Sequence, residues 1–492
     1  MSGDIRELEP REVWNHFYRL TRIPRPSGRE DKIRSYMADF GHGLGLETIL
    51  DGAGNVIIRK PATPGMEDRM GVILQAHLDM VPQKVGGSLH DFERDPIEPL
   101  IDGEWVRAND TTLGADNGIG VAAAMAVLES STIQHGPVEA LFTSEEETGM
   151  NGASGLRPGL LRGEILLNLD SEDEGELFIG CAGGLDGTMT FRYAETPLPP
   201  GYAGFALSVG GLRGGHSGMD IHLGRGNANK IMNRLLHAGY RAHGLLLSEI
   251  EGGSLRNAIP RQSEAHVAVP EARVGRFLNE FSTLAESIRS EFAGADPMLQ
   301  IGADPEPAPL RVIDEEVFSR SLRAIHACPN GVMRMSCEMD GLVETSNNLA
   351  IVRSGGGELI VQCLLRSSVD SACEDLASMV GSVFELAGAD AVFDGGYPGW
   401  KPDPESALLS LMKDTYRQLF GRDPEVRAVH AGLECGIIGA ICPGLDMISF
   451  GPTIRYPHSP DEKAEISSVG RFRDYLVRVL MSVPAARVGS LR

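Results

Sequence analysis

The sequence predicts an α/β catalytic domain interrupted by an inserted α+β domain. Three observations lead to this fold class. Helix-like and strand-like segments alternate over the first ~190 residues, as in a layered α/β fold. The same alternation returns after residue 398, whereas the block between mixes strand-like runs with long helices. Residues suited to one chemical site lie on both sides of that block. The expected division is therefore 1–188 and 398–492 for the two parts of the catalytic domain, with 189–397 inserted between them as a lid. At 492 residues the chain exceeds one ordinary core, which also favours two domains.

Taken in order, PREVWNHFYRL and GREDKIRSYMADFGHGLG read as amphipathic helices. NVIIRK, MGVILQAH, VEALFTS and EILLNLD are short apolar runs that read as buried strands. DNGIGVAAAMAVLES opens with an acid and an amide before an alanine-rich helix, so Asp116 and Asn117 sit at its N-terminal end. In the middle block FALSVGGL, SEAHVAVP, NNLAIVRS and ELIVQCLLRSS read as strands. GNANKIMNRLLHAG, RVGRFLNEFSTLAESIRSEFAG, EEVFSRSLRAIHACP and ACEDLASMVGSVFELAG read as helices. GGSLRNAIPRQSEAHVAV and GLVETSNNLAIVRSGGGELIVQCLLR share a turn, an Asn, an apolar pair and a strand, which suggests a duplicated α+β unit. After PESALLSLMKDTYRQLFG, a helix (HAGLECGIIGAI), a strand (LDMISFGP) and a last helix (AEISSVGRFRDYLVRVLM) complete the α/β domain.

A net charge of −23 argues against nucleic acid or an anionic membrane as partner, since phosphate contacts need clustered Lys and Arg. The longest apolar stretch, VAAAMAVL, is too short to span a bilayer. The N-terminus is acidic and has no apolar segment of the secretory kind. Seven cysteines without a CxxC pair fit a reducing compartment. The expected location is the cytoplasm.

Four imidazole or acidic signals lie at the ends of apolar runs, three of them strand-like: His77 and Asp79 in GVILQAHLDM, Asp116 in TLGADNGIG, Glu146 and Glu147 in LFTSEEETGM, and Asp170 in ILLNLDSED. His458 follows in RYPHSP. Singly, an HxD after a strand is an ordinary histidine with a nearby acid, and a run of glutamates is an ordinary solvated surface. Four such signals in order, three of them at strand ends where α/β sheets bind ligands, point instead to one site. Two imidazoles and several carboxylates suit a pair of divalent cations; zinc, manganese and cobalt all fit that donor set. Such a pair supports metal-assisted hydrolysis. These arguments do not choose among Glu145, Glu146 and Glu147 for base and ligand.

The order HLD, ADNG, EEETG, LNLDSE, GGHSG and YPHSP resembles the co-catalytic dinuclear-zinc exopeptidases, a family that includes carnosinases, acetylornithine deacetylase and glutamate carboxypeptidases. GCAGGLDG, GGHSGMDIHLGRGNANK, GGSLRNAIPR, LLRSSVDS and HAGLECGII look like its aminoacyl-histidine dipeptidase branch. The resemblance spans nearly the whole chain. It implies a three-layer zinc-exopeptidase catalytic domain, a lid, two zinc ions, a homodimer and hydrolysis of dipeptides of the Xaa-His kind. It also implies roles. Asp116 bridges both ions, His77 and Asp170 complete one position, and Glu147 and His458 complete the other. Glu146 is the general base and Asp79 orients His77. A cis peptide is implied at Asp116–Asn117. His216 donates to the oxyanion, and Arg366, Asn257 and His430 meet the substrate, with Arg366 on its carboxylate. On local sequence alone His216 is equally a loop histidine and Asn257 a turn residue. Cys181 and Cys435 read as small buried residues rather than nucleophiles. A chain that had lost catalysis would lack a ligand or the base, and all seven residues of the metal site are present.

Overall fold

The strands Val72–His77, Val138–Thr143 and Ile165–Asn168 are buried at every position. A strand apolar on both faces needs a layer above and a layer below it. In this computed structural model, which describes residues 3–486, these three strands and Asp446–Ser449 run parallel at the centre of an eight-stranded sheet. Their spatial order is Val138–Thr143, Val72–His77, Ile165–Asn168, Asp446–Ser449. Val56–Lys60 and Glu47–Leu50 continue the sheet antiparallel on one side, and Glu176–Cys181 and Glu425–Val429 extend it on the other. The parallel strands bring their carboxyl ends to one edge, so the loops that leave them converge.

The helix Ala115–Glu129 is buried from Ala115 through Leu128, and its small side chains let it lie between the helix Arg11–Thr21 and the strand Val72–His77. A second sheet orders Ile454–Arg455, Lys463–Glu465, Trp105–Ala108 and Pro99–Asp102. Its strands are two to four residues long, too short to print a periodicity on the sequence.

The chain divides into two units. Unit 1 runs to Gly180, takes Pro402–Ala428 and resumes at Leu433; unit 2 is Cys181–Lys401 with Val429–Gly432. Unit 2 thus begins earlier than the 189 read from the sequence and ends later than 397. The reason is the strand Gly183–Arg192, whose sheet partners Glu358–Ser367 and Asp390–Tyr397 belong to unit 2. The short segment 429–432 carries His430 into unit 2 as well.

Unit 2 consists of two βαββαβ copies. The inner copy has strands Tyr202–Gly210, Leu246–Gly252, Ser263–Pro270 and Gln300–Glu306, with helices Ala228–His243 and Val274–Phe292. The outer copy has strands Gly183–Arg192, Val343–Gly355, Glu358–Ser367 and Asp390–Tyr397, with helices Glu315–Ala327 and Asp370–Leu386. Numbered within each copy, the strands lie 4-1-3-2 and 2-3-1-4 across one antiparallel sheet. The two second strands meet at the centre, with Glu251 opposite Arg353 and Gly252 opposite Val352. The two similar sequence segments do not occupy equivalent places: GGSLRNAIPRQSEAHVAV puts its Asn257 in the connection between the second and third strands of the inner copy, whereas the Asn347–Asn348 pair of the other segment lies inside the second strand of the outer copy. One core, including Phe191, Phe205, Phe277, Phe318 and Phe384, lies between this sheet and the helices.

Candidate metal centre and active site

His77 ends its strand, and its Nε2 lies 3.1 Å from Asp116 Oδ1 and 3.3 Å from Asp170 Oδ1. His458 Nε2 lies 3.1 Å from Asp116 Oδ2 and 3.0 Å from Glu147 Oε2. Each imidazole nitrogen therefore faces two carboxylates, and Asp116 gives one oxygen to each. His77, Asp116 and Asp170 form one group whose donor atoms all lie within 4.8 Å of one another; Asp116, Glu147 and His458 form a second. Glu146 also lies within this reach of His77 and Glu147. The contact with His458 associates Glu147, rather than Glu146, with the second group.

The local backbone follows from these demands. Asp116 precedes the regular part of its helix, in extended geometry (φ −80°, ψ 111°), and a cis peptide links it to Asn117. The Asn117 amide donates to the carbonyl of Leu169, tying this loop to the strand end that leads to Asp170. His458 and Glu145 have φ of 59° and 52°, the left-handed region that side chains other than glycine enter only where their surroundings hold them.

An imidazole N–H can donate to one carboxylate at a time, so two carboxylates on one nitrogen leave an acceptor in need of a cation. Glu147 Oε1 is buried and accepts no hydrogen bond. Four acids, Asp116, Glu146, Glu147 and Asp170, crowd two imidazoles in a buried site, an excess of negative charge that bound cations would balance. The residues thus fit a pair of divalent ions. The protein's own charges set the titration. Burial pushes Asp170 up to about 6 against the pull of His77. Burial would also raise Asp116, but hydrogen bonds from His458 and His77 hold it well below the usual carboxylate range. Hydrogen bonds to Asp116 and Glu147 lift His458 to about 11. Burial lowers His77, yet Asp170 and Asp116 more than compensate and raise it well above an ordinary imidazole. Glu146 is raised well above the usual range, chiefly by burial and further by Asp170 and Glu434.

Several supporting residues carry no role legible in the sequence. Arg25 is buried and donates to the carbonyls of Leu78, Asp79 and Gly114. Glu434 accepts from Thr143 and from Gln75, at 2.7 and 2.6 Å, and burial pushes it up to about 8. Glu462 accepts the backbone N–H groups of residues 113 to 116. Sequence reasoning passes over all three: Arg25 and Glu462 are single charged residues in loops with no spacing to mark them, and Glu434, which opens the helix Glu434–Ile441, reads as an ordinary acid in a first helical turn. Cys181 and Cys435 are buried, as the sequence suggests.

His216, Asn257, Arg366 and His430 gather in unit 2. Ser346, Arg366, Gly184 and Tyr397 are successive cross-strand partners, so they share one face of the sheet. Arg366 is 4% exposed and donates from Nε to Ser217 Oγ (3.2 Å) and from Nη1 to Tyr397 Oη (3.0 Å). Among the described residues no carboxylate forms an ion pair with it. His430 Nε2 meets Ser346 Oγ at 2.7 Å, and burial with the nearby Arg366 lowers it to about 3, so its imidazole is neutral. His216 Nδ1 accepts the N–H groups of Gly218 and Met219, which puts the ring proton on Nε2 and leaves that N–H available to donate. Asn257 sits beside His216: its carbonyl accepts the Ser217 N–H, and His216 pairs with Ala258.

Comparison with known proteins bears on this arrangement. Residues 73–482 match the peptidase family M20/M25/M40. The cytosol non-specific dipeptidase of Escherichia coli strain K12 is 44% identical over 486 residues, 98% of this chain and 100% of that protein. The crystal structure of aminoacylhistidine dipeptidase from Vibrio alginolyticus has a TM-score of 0.93 at 46% identity, over 98% of this chain and 99% of that one. A tripeptidase of Staphylococcus aureus, 16% identical with a TM-score of 0.56 over 97% and 99% of the two chains, shares the fold. Given the family match across most of its length and these full-length similarities, the chain belongs to peptidase family M20/M25/M40.

Proposed function

We propose that this chain is a cytoplasmic metal-dependent dipeptidase hydrolysing unblocked dipeptides, Xaa-His and β-alanyl-histidine (carnosine) among them. The carrying observation is the pair of imidazoles that each face two carboxylates, with Asp116 shared between them. The two full-length relatives, a cytosol non-specific dipeptidase and an aminoacylhistidine dipeptidase, support the substrate class. Among the described residues no helix is long and apolar enough to cross a membrane.

In this reading His77 and Asp170 would hold one cation and Glu147 and His458 the other, with Asp116 offering an oxygen to each. Zn2+ would suit these donors, as would Mn2+ or Co2+. When bound, they acidify a water and polarise the scissile carbonyl. Glu146 takes the proton of the attacking water and passes it to the leaving amine. Its raised affinity for a proton suits the second of these transfers. His216 donates Nε2–H to the oxyanion. Arg366, which has no carboxylate partner among the described residues, binds the free carboxylate of the substrate, and Asn257 and His430 complete the contacts to the peptide. The homodimer implied by the family resemblance belongs to the same reading and is tested by sedimentation.

A dipeptide panel that includes carnosine, assayed on protein reconstituted with Zn2+, Mn2+ or Co2+ and followed by product identification, tests the proposal. Cleavage only of dipeptides with free termini supports it. Even rates across unrelated side chains would favour a broad dipeptidase, the reading closest to the name of the Escherichia coli relative. Preferential release of acyl groups from N-acyl amino acids would make the chain a deacylase using the same site.

A further inference from the structure

The loop that presents Asp116 is held on one side by the Asn117 amide on the Leu169 carbonyl and on the other by a carboxylate from far along the chain. Its four consecutive backbone N–H groups converge on one carboxylate: Leu113 and Gly114 donate to Glu462 Oε2 at 2.7 and 2.9 Å, and Ala115 and Asp116 donate to Oε1 at 2.7 and 3.1 Å. Such a run of N–H groups forms a concave anion site, usually filled by a bound anion. Here an internal carboxylate, 2% exposed, fills it. Gly114 makes the curvature available. Its φ is +69°, and a Cβ there would meet Arg25 Nη2 at 2.7 Å and the Met80 sulfur at 2.8 Å.

Glu462 lies in the hairpin between the strands Ile454–Arg455 and Lys463–Glu465, the same hairpin that carries His458. Asp116 and His458 face each other at 3.1 Å yet stand 342 positions apart in the chain. His458 is half-exposed, with a left-handed φ of 59° and a short two-strand base to support it. The four bonds from Glu462 to the Asp116 loop add a direct tie between the two ligands.

We propose that Glu462 is a positioning residue for the metal centre: it fastens the Asp116 loop to the His458 hairpin, so the second cation position depends on a side chain outside the set of ligands. This rests on the two-cation reading above. An amide in its place could accept through one oxygen only, and its N–H2 would confront the remaining N–H donors. An aspartate would keep the charge but fall one methylene short of the four donors.

The experiment titrates Zn2+ alone, against a competing chelator, into the metal-free full-length wild type and the variants Glu462→Gln and Glu462→Asp. Thermal unfolding of the metal-free proteins is measured alongside. The expected result is two equivalents in the wild type. The variants should hold one equivalent with near-normal affinity and bind the other ~10–100-fold more weakly, the scale seen when residues that orient ligands are altered. Their metal-free unfolding midpoints should stay close to that of the wild type. Wild-type affinity at both positions in a folded variant would overturn the proposal. Loss of the folded state in both variants would overturn it too, since Glu462 would then serve the fold at large. If one variant alone folds, its affinities decide. A wild type that fails to take up two equivalents would overturn the two-cation reading itself, so the two failures are distinguishable.

Discussion

The carboxylate of Asp79 accepts the backbone N–H of Glu146 at 3.0 Å. Its other oxygen accepts the N–H of Glu147 at 3.2 Å, while Oδ1 also lies 3.4 Å from His77 Nδ1. The sequence suggests only the last of these contacts. One buried side chain therefore orients an imidazole and sets the backbone of the base and its neighbour. Asp79→Ala should lower both metal affinity and turnover, each by ~10–100-fold. A variant with full metal content and full activity would reduce Asp79 to a bystander.

Among the described residues the carboxylates paired with His458 are those of Asp116 and Glu147, the latter at 3.0 Å, and not that of Glu146. Glu146→Gln is therefore expected to keep its metal while turnover falls by ~100-fold or more, the usual scale for removing a general base. Metal analysis beside single-turnover kinetics checks this. Loss of one metal equivalent would move the base role to a neighbouring glutamate.

Removing the imbalance at the other end of the site gives a different signature. His458→Ala should lose metal and activity together, with circular dichroism unchanged, because the side chain is half-exposed and supports no core. Unchanged metal content would remove the C-terminal hairpin from the site.

Arg366 tests the substrate's terminus. A buried guanidinium that meets a carboxylate loses several kcal/mol when either partner is removed, much of it from the charge left unpaired. Amidating a good dipeptide substrate should cut kcat/KM by ~100-fold. Arg366→Ala should cut it similarly on the free acid and add little further on the amide. Fully additive losses would mean that the two groups do not meet.

The metal-free protein should be most stable at mildly acid pH. Asp170, Glu462 and Glu434 titrate at about 6, about 7 and about 8 when folded, above ~4 in an unfolded chain. A raised carboxylate favours the fold fully below its unfolded value, and that contribution disappears as pH rises through the folded value. His458, at about 11, acts in the same direction above ~6.5. Asp116 is depressed, so its contribution is lost only in strong acid. Unfolding midpoints of chelator-treated protein should therefore fall between pH 5 and 8.5, and added Zn2+ should restore more at the upper end. A flat or rising midpoint without metal would contradict the charge balance described here.

Residues that end or follow fully buried strands were legible in the sequence. His77 and the Glu146–Glu147 pair follow apolar runs whose length and composition announce a central parallel strand, and Asp170 stands one leucine beyond such a run. His458 has no such strand before it, and its place in the same cluster rested on the family pattern. The four-stranded sheet that carries its hairpin, and the partners Glu462, Arg25 and Tyr397, were not legible. The strands of that sheet are too short to show a period, and the contacts of these partners join residues far apart in sequence, 31 positions for Tyr397 with Arg366 and 349 for Glu462 with Leu113. The strand Gly183–Arg192 escaped because its glycines mimic a loop; Gly184 is small because the Tyr397 ring lies 2.7 Å from where a Cβ would be.

The nesting of one βαββαβ copy inside the other imposes an order on synthesis. Gly183–Arg192 leaves the ribosome first, yet both its sheet partners, Glu358–Ser367 and Asp390–Tyr397, follow the whole inner copy. The inner copy has every strand it needs by Glu306 and can close its own four-stranded sheet while the outer strand waits unpaired. Pairings so distant in sequence form late and leave an open edge in the interim. During translation, the aggregation-sensitive element of this chain is therefore a glycine-rich strand, whose low β-propensity makes it a poor template for unwanted pairing.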